Sequence, residues 1–468
     1  MPAQGAWRAA RSIATRVAPV AVAVPLLLWP ALLNGYPIVF DDTGTYLSQA
    51  VHHYIGWDRP PFYSLFLLPL HLTITIWPVV VAQALLTAST LHLLRRSLVP
   101  AVSPWWLVPG VGLLALTTAL PWFASQIMPD LFTPLLILAL AMLVFTPGRL
   151  TRAERLWLVS LAAFSIAAQQ SSVALALALL LILTPLRGLL GARGRLGRAG
   201  LLRLAAAPLL AMTALVSVNL AGHGRAGLAP FGNVFLLARV IYDGPGMAVL
   251  RRDCPASDWL LCPFLDRFPP TSDEFLWLPD SPIMLAGGHK RVSADAGAII
   301  AAALRAEPGT ELLAWLRNGS VQLGSFASGD ELHACPGTVT PWIERDFPGF
   351  ERAAYIAARQ TDGRLAVPEP LRLLHAIVAV GGIAGCAIVL FVAGHRRHAA
   401  AGFAAAVLLG VLANAFIAGG LSTPHQRYGS RVMLLAPVVA VLGGVALARQ
   451  AAPGDDVPDR VRATAIRA

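Results

Sequence analysis

Of 468 residues, 56% are hydrophobic and only 13% charged, against about 25% charged in an ordinary soluble domain. A chain this apolar needs lipid as part of its solvent, which excludes a conventional soluble enzyme. The formal charge of +11 does not point to nucleic acid, because the basic residues are arginines in short clusters between apolar runs and Lys290 is the sole lysine.

Arg8, Arg11 and Arg16 precede a first apolar run, Val17 to Leu33; no small-residue cleavage site follows, so a retained helix is expected rather than a signal peptide. A polar, aromatic segment from Asn34 to Pro60 comes next. The piece Pro61–Ile76 carries Pro69 and His71 and reads as a juxtamembrane or partly inserted helix. Further apolar runs are Val79–Leu94, Trp105–Leu120, Leu131–Phe145, Leu156–Ala168, Val173–Leu186 and Leu204–Leu220. A long polar region follows, then Leu371–Ala393, Ala399–Leu421 and Val432–Ala448. With about 20 apolar residues per crossing, or fewer where the bilayer thins, the pattern predicts about ten transmembrane helices.

That count places every arginine cluster on one side: the N-terminal tail, Arg95–Arg96, Arg149/Arg152/Arg155, Arg187 to Arg203, Arg396–Arg397 and the C-terminal tail. Both termini are therefore expected in the cytoplasm. The expected organisation is a membrane module over 1–220, with a first outer loop at 34–76. An extracytoplasmic domain over 221–370, C-terminal helices over 371–450 and a tail over 451–468 complete it. The fold class is thus an all-α polytopic membrane protein with one mixed or mostly α outer domain. Within that domain, Ala294–Ala306 and Glu311–Gly319 read as helices and Asp243-Gly244-Pro245-Gly246 as a turn.

Cys254, Cys262 and Cys335 fall in the outer region and Cys386 in an apolar run. A Cys254–Cys262 disulfide is expected, with Cys335 the alternative partner. Metal binding ranks below it, since no His/Cys pair has zinc-ligand spacing.

Three outer segments carry candidate chemistry. The first loop contains Asp41-Asp42, then Arg59-Pro60-Pro61-Phe62-Tyr63, with His52 and His53 between. Two adjacent carboxylates beside hydrocarbon are costly unless used, as a general base or a cation ligand. The plainer alternative is helix capping by Asp42-Thr43 before an amphipathic stretch, Tyr46 to Ile55. Asp130, in the second outer turn, begins an apolar helix, where capping competes with a catalytic role. The third segment, Ser422-Thr-Pro-His425-Gln-Arg427-Tyr428-Gly-Ser430-Arg431, suits phosphate recognition by paired guanidiniums, with lipid-headgroup anchoring as the alternative. Trp259, Trp277, Trp315 and Trp342 are available for stacking on sugars or for core packing.

This arrangement resembles the GT-C superfamily of membrane glycosyltransferases, such as protein O-mannosyltransferases and lipid A aminoarabinose transferases. The matching elements are Asp41-Asp42, Arg59-Pro60-Pro61-Phe62-Tyr63, Asp130 and Arg427-Tyr428, across roughly the first 190 and last 50 residues. Two departures are the Asp-Asp pair, where several members have Asp-Glu, and an outer domain that matches no family module. The resemblance implies an inverting transfer of a sugar from a polyprenyl phosphate or diphosphate to a glycan, lipid or protein acceptor at a bacterial-type inner (plasma) membrane. Asp41 or Asp42 would serve as base, with Asp130 in the catalytic set. Tyr63 and Tyr428 would be substrate contacts. Arg59, Arg427, Arg431 and His425 would hold the phosphate, and a divalent metal ion is left open. The competing classes are a transporter or flippase of a lipid-linked or anionic substrate, and a non-catalytic scaffold. The helices from Leu204 onward carry few ionisable residues and no inverted repeat is apparent, which weighs against transport.

Overall fold

The computed structural model describes residues 17–192, 196–254, 256–330 and 332–451. The basic tails and part of the Arg187–Arg203 cluster lie outside them. Helices dominate, and the described residues contain no strand, only an isolated bridge between Ile38 and Gln126.

Six helices have the length and composition to cross a bilayer: Val17–Asn34, Trp77–Leu98, Arg198–His223, Glu369–His395, Ala400–Gly419 and Gln426–Gln450. Their outer faces are apolar: Leu209, Leu210, Ile377, Val380, Ile388 and Phe391 all stand exposed. A water-soluble protein rarely leaves so large an apolar surface bare. The chain is a multi-pass helical membrane protein in a lipid environment.

The shorter apolar helices are Phe62–His71, Pro104–Thr117, Pro129–Phe145 and Ser171–Leu186. Phe62–His71 has ten residues, about 15 Å of rise, too little to cross the hydrocarbon. Phe132–Phe145 forms the middle of the bundle, and all fourteen of its residues are buried. A helix apolar on every face belongs inside, surrounded by others.

Arginine-rich loops meet at one end of the bundle. Arg96 donates to the Arg149 carbonyl at 3.3 Å and pairs with Glu154 at 2.5 Å, while Arg149 reaches the Ser97 carbonyl. Arg187 donates to the Val144 carbonyl at 3.4 Å. The opposite end carries residues 34–61 and 121–130, the described residues of 222–368, and residues 422–431.

The described residues between Arg198–His223 and Glu369–His395 form helices joined by turns and loops, with no strand, so the mixed α/β alternative is not what forms. It has two parts. Helices Asn233–Tyr242, Pro245–Asp253 and His289–Ala306 build a core of their own around Leu237, Ile241, Leu250, Phe275 and Ile299. The Asp243–Gly246 turn bends the first two helices 91° apart, with Gly244 at φ +112°, a conformation that favours glycine. Residues 332–367 instead pack on the first loop and the membrane helices: Cys335, Val339, Ile343, Phe347 and Tyr355 belong to the main core. The expected helices near 294–306 and 311–319 appear as His289–Ala306 and Pro308–Gly324. Cys254 and Cys262 are disulfide-bonded, and Cys335 is not in a disulfide.

Candidate functional site

The site is assembled at the domain-bearing end from four stretches distant in sequence. The first is the Asp41–His52 helix. It begins two residues earlier than capping by Asp42 requires, so Asp41 and Asp42 occupy its first turn, where the free N–H groups favour negative charge. The Phe40 N–H donates to Thr43 Oγ1 at 2.9 Å, and that hydroxyl donates to the Ile127 carbonyl at 2.9 Å. Tyr36-Pro-Ile-Val-Phe40 is tied down by Gln360, which accepts from the Val39 N–H at 3.0 Å and donates to the Val39 carbonyl at 2.7 Å. Tyr36 donates to buried Glu351 at 2.8 Å.

The two carboxylates face different surroundings. Asp42 pairs with Arg59 at 2.8 Å, with side chains 18% and 20% exposed. Burial opposes its ionisation, but the charges of Arg59 and Arg427 win and hold the carboxyl below its ordinary range. The same pairing with Asp42 and Asp58 outweighs burial and raises the pKa of Arg59. Asp41 is open: its side chain is 42% exposed, accepting from Thr338 Oγ1 at 2.7 Å and lying 3.0 Å from His333 Nε2.

The late segment approaches from across the bundle. A π-turn at Ala415–Gly419 ends the Ala400–Asn414 helix, and the chain re-enters as the Gln426–Met433 helix. Such insertions are frequent where a helix is re-aimed at a site. The Arg427 guanidinium lies 4.1 Å over the Phe40 ring and 5.1 Å from the Tyr428 ring, and its backbone N–H donates to Asp330 at 3.3 Å. His425 sits 3.6 Å from Asp273. Burial lowers the pKa of this imidazole, with Asp273 opposing the shift and Arg427 reinforcing it.

Behind this surface is a buried framework. Arg431 donates to Asp130 at 2.7 Å and to Asn414 Oδ1 at 3.1 Å, with the paired side chains 1% and 3% exposed. Tyr63 is fully buried and donates to Gln83 Oε1 at 2.7 Å, while Gln83 donates to the carbonyls of Ala124 and Gln126. Asp130, Tyr63 and Arg431 are thus interior supports here. Of the expected site residues, Asp130 has its charge paired inside the protein, and Tyr63 and Arg431 make their hydrogen bonds in the interior. Asp41, Asp42, Arg59, Arg427, Tyr428 and His425 remain at the accessible or half-buried surface.

Sequence reasoning missed His333, Thr338 and Asp330, whose partners lie about a hundred or more residues away. The one available signal was a third outer cysteine, Cys335, two positions from a histidine. Among the tryptophans, Trp315 donates to the Phe416 carbonyl at 3.0 Å and Trp342 lies under Arg345, whereas Trp277 is 46% exposed.

Gly44 is where the outer segment touches the first helix. A Cβ there would collide with the Thr338 carbonyl and lie 2.9 Å from Trp342 Cδ1. Gly44→Ala is expected to destabilise the protein by about 1–3 kcal/mol through this overpacking. Thermal unfolding in detergent reads it, and an unchanged midpoint would show that the 338–342 segment does not pack here.

Comparison with protein-family models, curated proteins and solved structures finds no match for this chain.

Proposed function

We propose that the protein is a membrane glycosyltransferase that moves a sugar from a polyprenyl-phosphate donor to an acceptor on the extracytoplasmic side. In this proposal the chain crosses the bilayer about ten times, with the arginine-rich end in the cytoplasm. The Cys254–Cys262 disulfide supports placing the domain-bearing end in an oxidising compartment.

The observation that carries the proposal is the division of labour at that end. An open carboxylate, Asp41, adjoins Asp42, whose half-buried carboxylate is acted on by the guanidiniums of both Arg59 and Arg427. Sugar transfer from a lipid phosphate needs both an open carboxylate and such cations. Asp41 would take the proton of an acceptor hydroxyl as it attacks the anomeric carbon, and His333 beside it would pass that proton to water. Arg59 and Arg427 would bind the phosphate oxygens and offset the charge that grows as the sugar–phosphate bond breaks. Asp42 keeps Arg59 in place and ionised. An aromatic floor of Phe40 and Tyr428 under Arg427 limits its rotamers, so it is pre-organised for the anion.

The test is purified protein in detergent given a polyprenyl-phosphate sugar and a hydroxyl acceptor. Glycosylated product and free polyprenyl phosphate are expected from the wild type and not from Asp41→Asn or Asp42→Asn. Movement of the lipid across vesicles that survives both changes, with no product formed, would establish a flippase instead.

A further inference from the structure

We propose that Asp41, His333 and Cys335 form a binding site for a zinc-class divalent ion. One carboxylate oxygen, one imidazole nitrogen and the thiol sulfur lie within 4.8 Å of one another, and Asp41 Oδ2 is 3.0 Å from His333 Nε2. With zinc bonds of about 2.0–2.3 Å in tetrahedral geometry, ligand atoms stand about 3.3–3.7 Å apart. The Asp41–His333 pair stands close to that spacing, from stretches 292 residues apart, and the thiol lies within 4.8 Å of both, a gap that small side-chain shifts close.

The donor set selects the metal. Thiolate, imidazole and carboxylate suit zinc and its borderline neighbours, whereas magnesium and calcium take oxygen ligands. Neighbouring hydrogen bonds hold the carboxylate of the first ligand and the backbone of the other two. Thr338 Oγ1 donates to Asp41 Oδ1 at 2.7 Å, Gln360 Nε2 to the His333 carbonyl at 3.1 Å, and Thr340 Oγ1 to the Cys335 carbonyl at 3.4 Å. Asp41 and His333 are 42% and 54% exposed, giving an ion a route in from water, while Cys335 is buried beneath them.

Cysteine use points the same way. Three cysteines lie at the domain-bearing end, two are joined in a disulfide, and the third sits at this cluster. Three protein ligands leave a fourth position for water or a hydroxyl, the arrangement of an open rather than a closed zinc site. The ion would also clasp residues 333–335 to the start of the Asp41–His52 helix. Metal binding stands without sugar transfer. With the ion bound, Asp41 and His333 serve as its ligands, and an acceptor hydroxyl at the fourth position loses its proton to water in place of Asp41; only that use of the fourth position rests on the sugar-transfer reading.

Cobalt(II) is the probe, added to full-length protein in detergent with any affinity tag removed. The wild type is expected to bind one equivalent with a thiolate-to-cobalt charge-transfer band that zinc abolishes by displacement. Cys335→Ser is expected to remove the band, and His333→Asn to weaken binding at least about tenfold. A wild type that binds no cobalt, or a band that persists in Cys335→Ser, overturns the site. Should Cys335→Ser fail to fold, the wild-type spectrum decides: bound cobalt is expected to show the thiolate charge-transfer band, and cobalt bound without that band overturns the proposal. Absence of sugar transfer alters neither readout.

Discussion

Asp41→Asn is expected to lower sugar transfer by about 10²–10⁴-fold, the range lost when a positioned general base is removed. The side chain keeps its shape and can still accept from Thr338 Oγ1, so the loss reads the carboxylate's charge, as proton acceptor or as metal ligand, rather than packing. Asp42→Asn acts differently. It unpairs Arg59 and removes the charge that holds that guanidinium in place, so donor binding suffers along with turnover. The two carboxylates also separate by pH. The pKa of folded Asp42 is depressed, so its contribution to stability is complete above the ordinary value of 3.8 and disappears as pH falls through its lower folded value. An acid-labile component of unfolding that is present in the wild type and missing in Asp42→Asn is the expected signature. Equal transfer rates for the wild type and Asp41→Asn would remove this residue from the chemistry.

Arg431→Met is expected to destabilise the protein by about 3–5 kcal/mol, because it strands the Asp130 carboxylate in the interior with its charge uncompensated. Asp130→Asn leaves the reverse problem, a buried guanidinium still held by Asn414 but without its counter-charge. The double change Asp130→Leu/Arg431→Met removes both charges together and is expected to lie within about 1–2 kcal/mol of the wild type. A double-mutant cycle on thermal unfolding in detergent measures the coupling. Additive single effects would mean that the two side chains are hydrated and separate, and the framework assigned to them would be wrong.

The membrane character of the chain was plain in its apolar runs, because a bilayer demands long apolar helices and little else supplies them. Short helices were harder to place. Leu131–Phe145 reads like a crossing, yet Phe132–Phe145 is enclosed by protein on every side, and hydropathy does not separate lipid from a protein interior. In the site, local pattern carried Asp41, Asp42, Arg59 and Arg427, since charge beside an apolar helix is expensive and shows in a single sequence. It did not reveal which of them was neutralised. Asp130 and Arg431 look alike in sequence to Asp42 and Arg427, and only packing across 301 residues turns the first pair into an interior strut. His333 and Thr338 were invisible for the same reason: nothing local ties them to Asp41. The polar region between the seventh and eighth expected crossings looked like one domain. Its apolar residues do not say that 332–367 would use the membrane bundle, rather than the core around Leu237 and Ile299, as their packing partner.

Mass spectrometry of the lipid that accompanies the protein through purification tests sugar transfer most directly. Wild-type protein taken gently from its own membrane should carry a polyprenyl phosphate or its glycosylated form at near-equimolar level, and Arg427→Ala should lose it while keeping its bulk phospholipid. A wild type that retains ordinary phospholipid alone, or an Arg427→Ala protein that holds the polyprenyl lipid as tightly, would contradict the assignment.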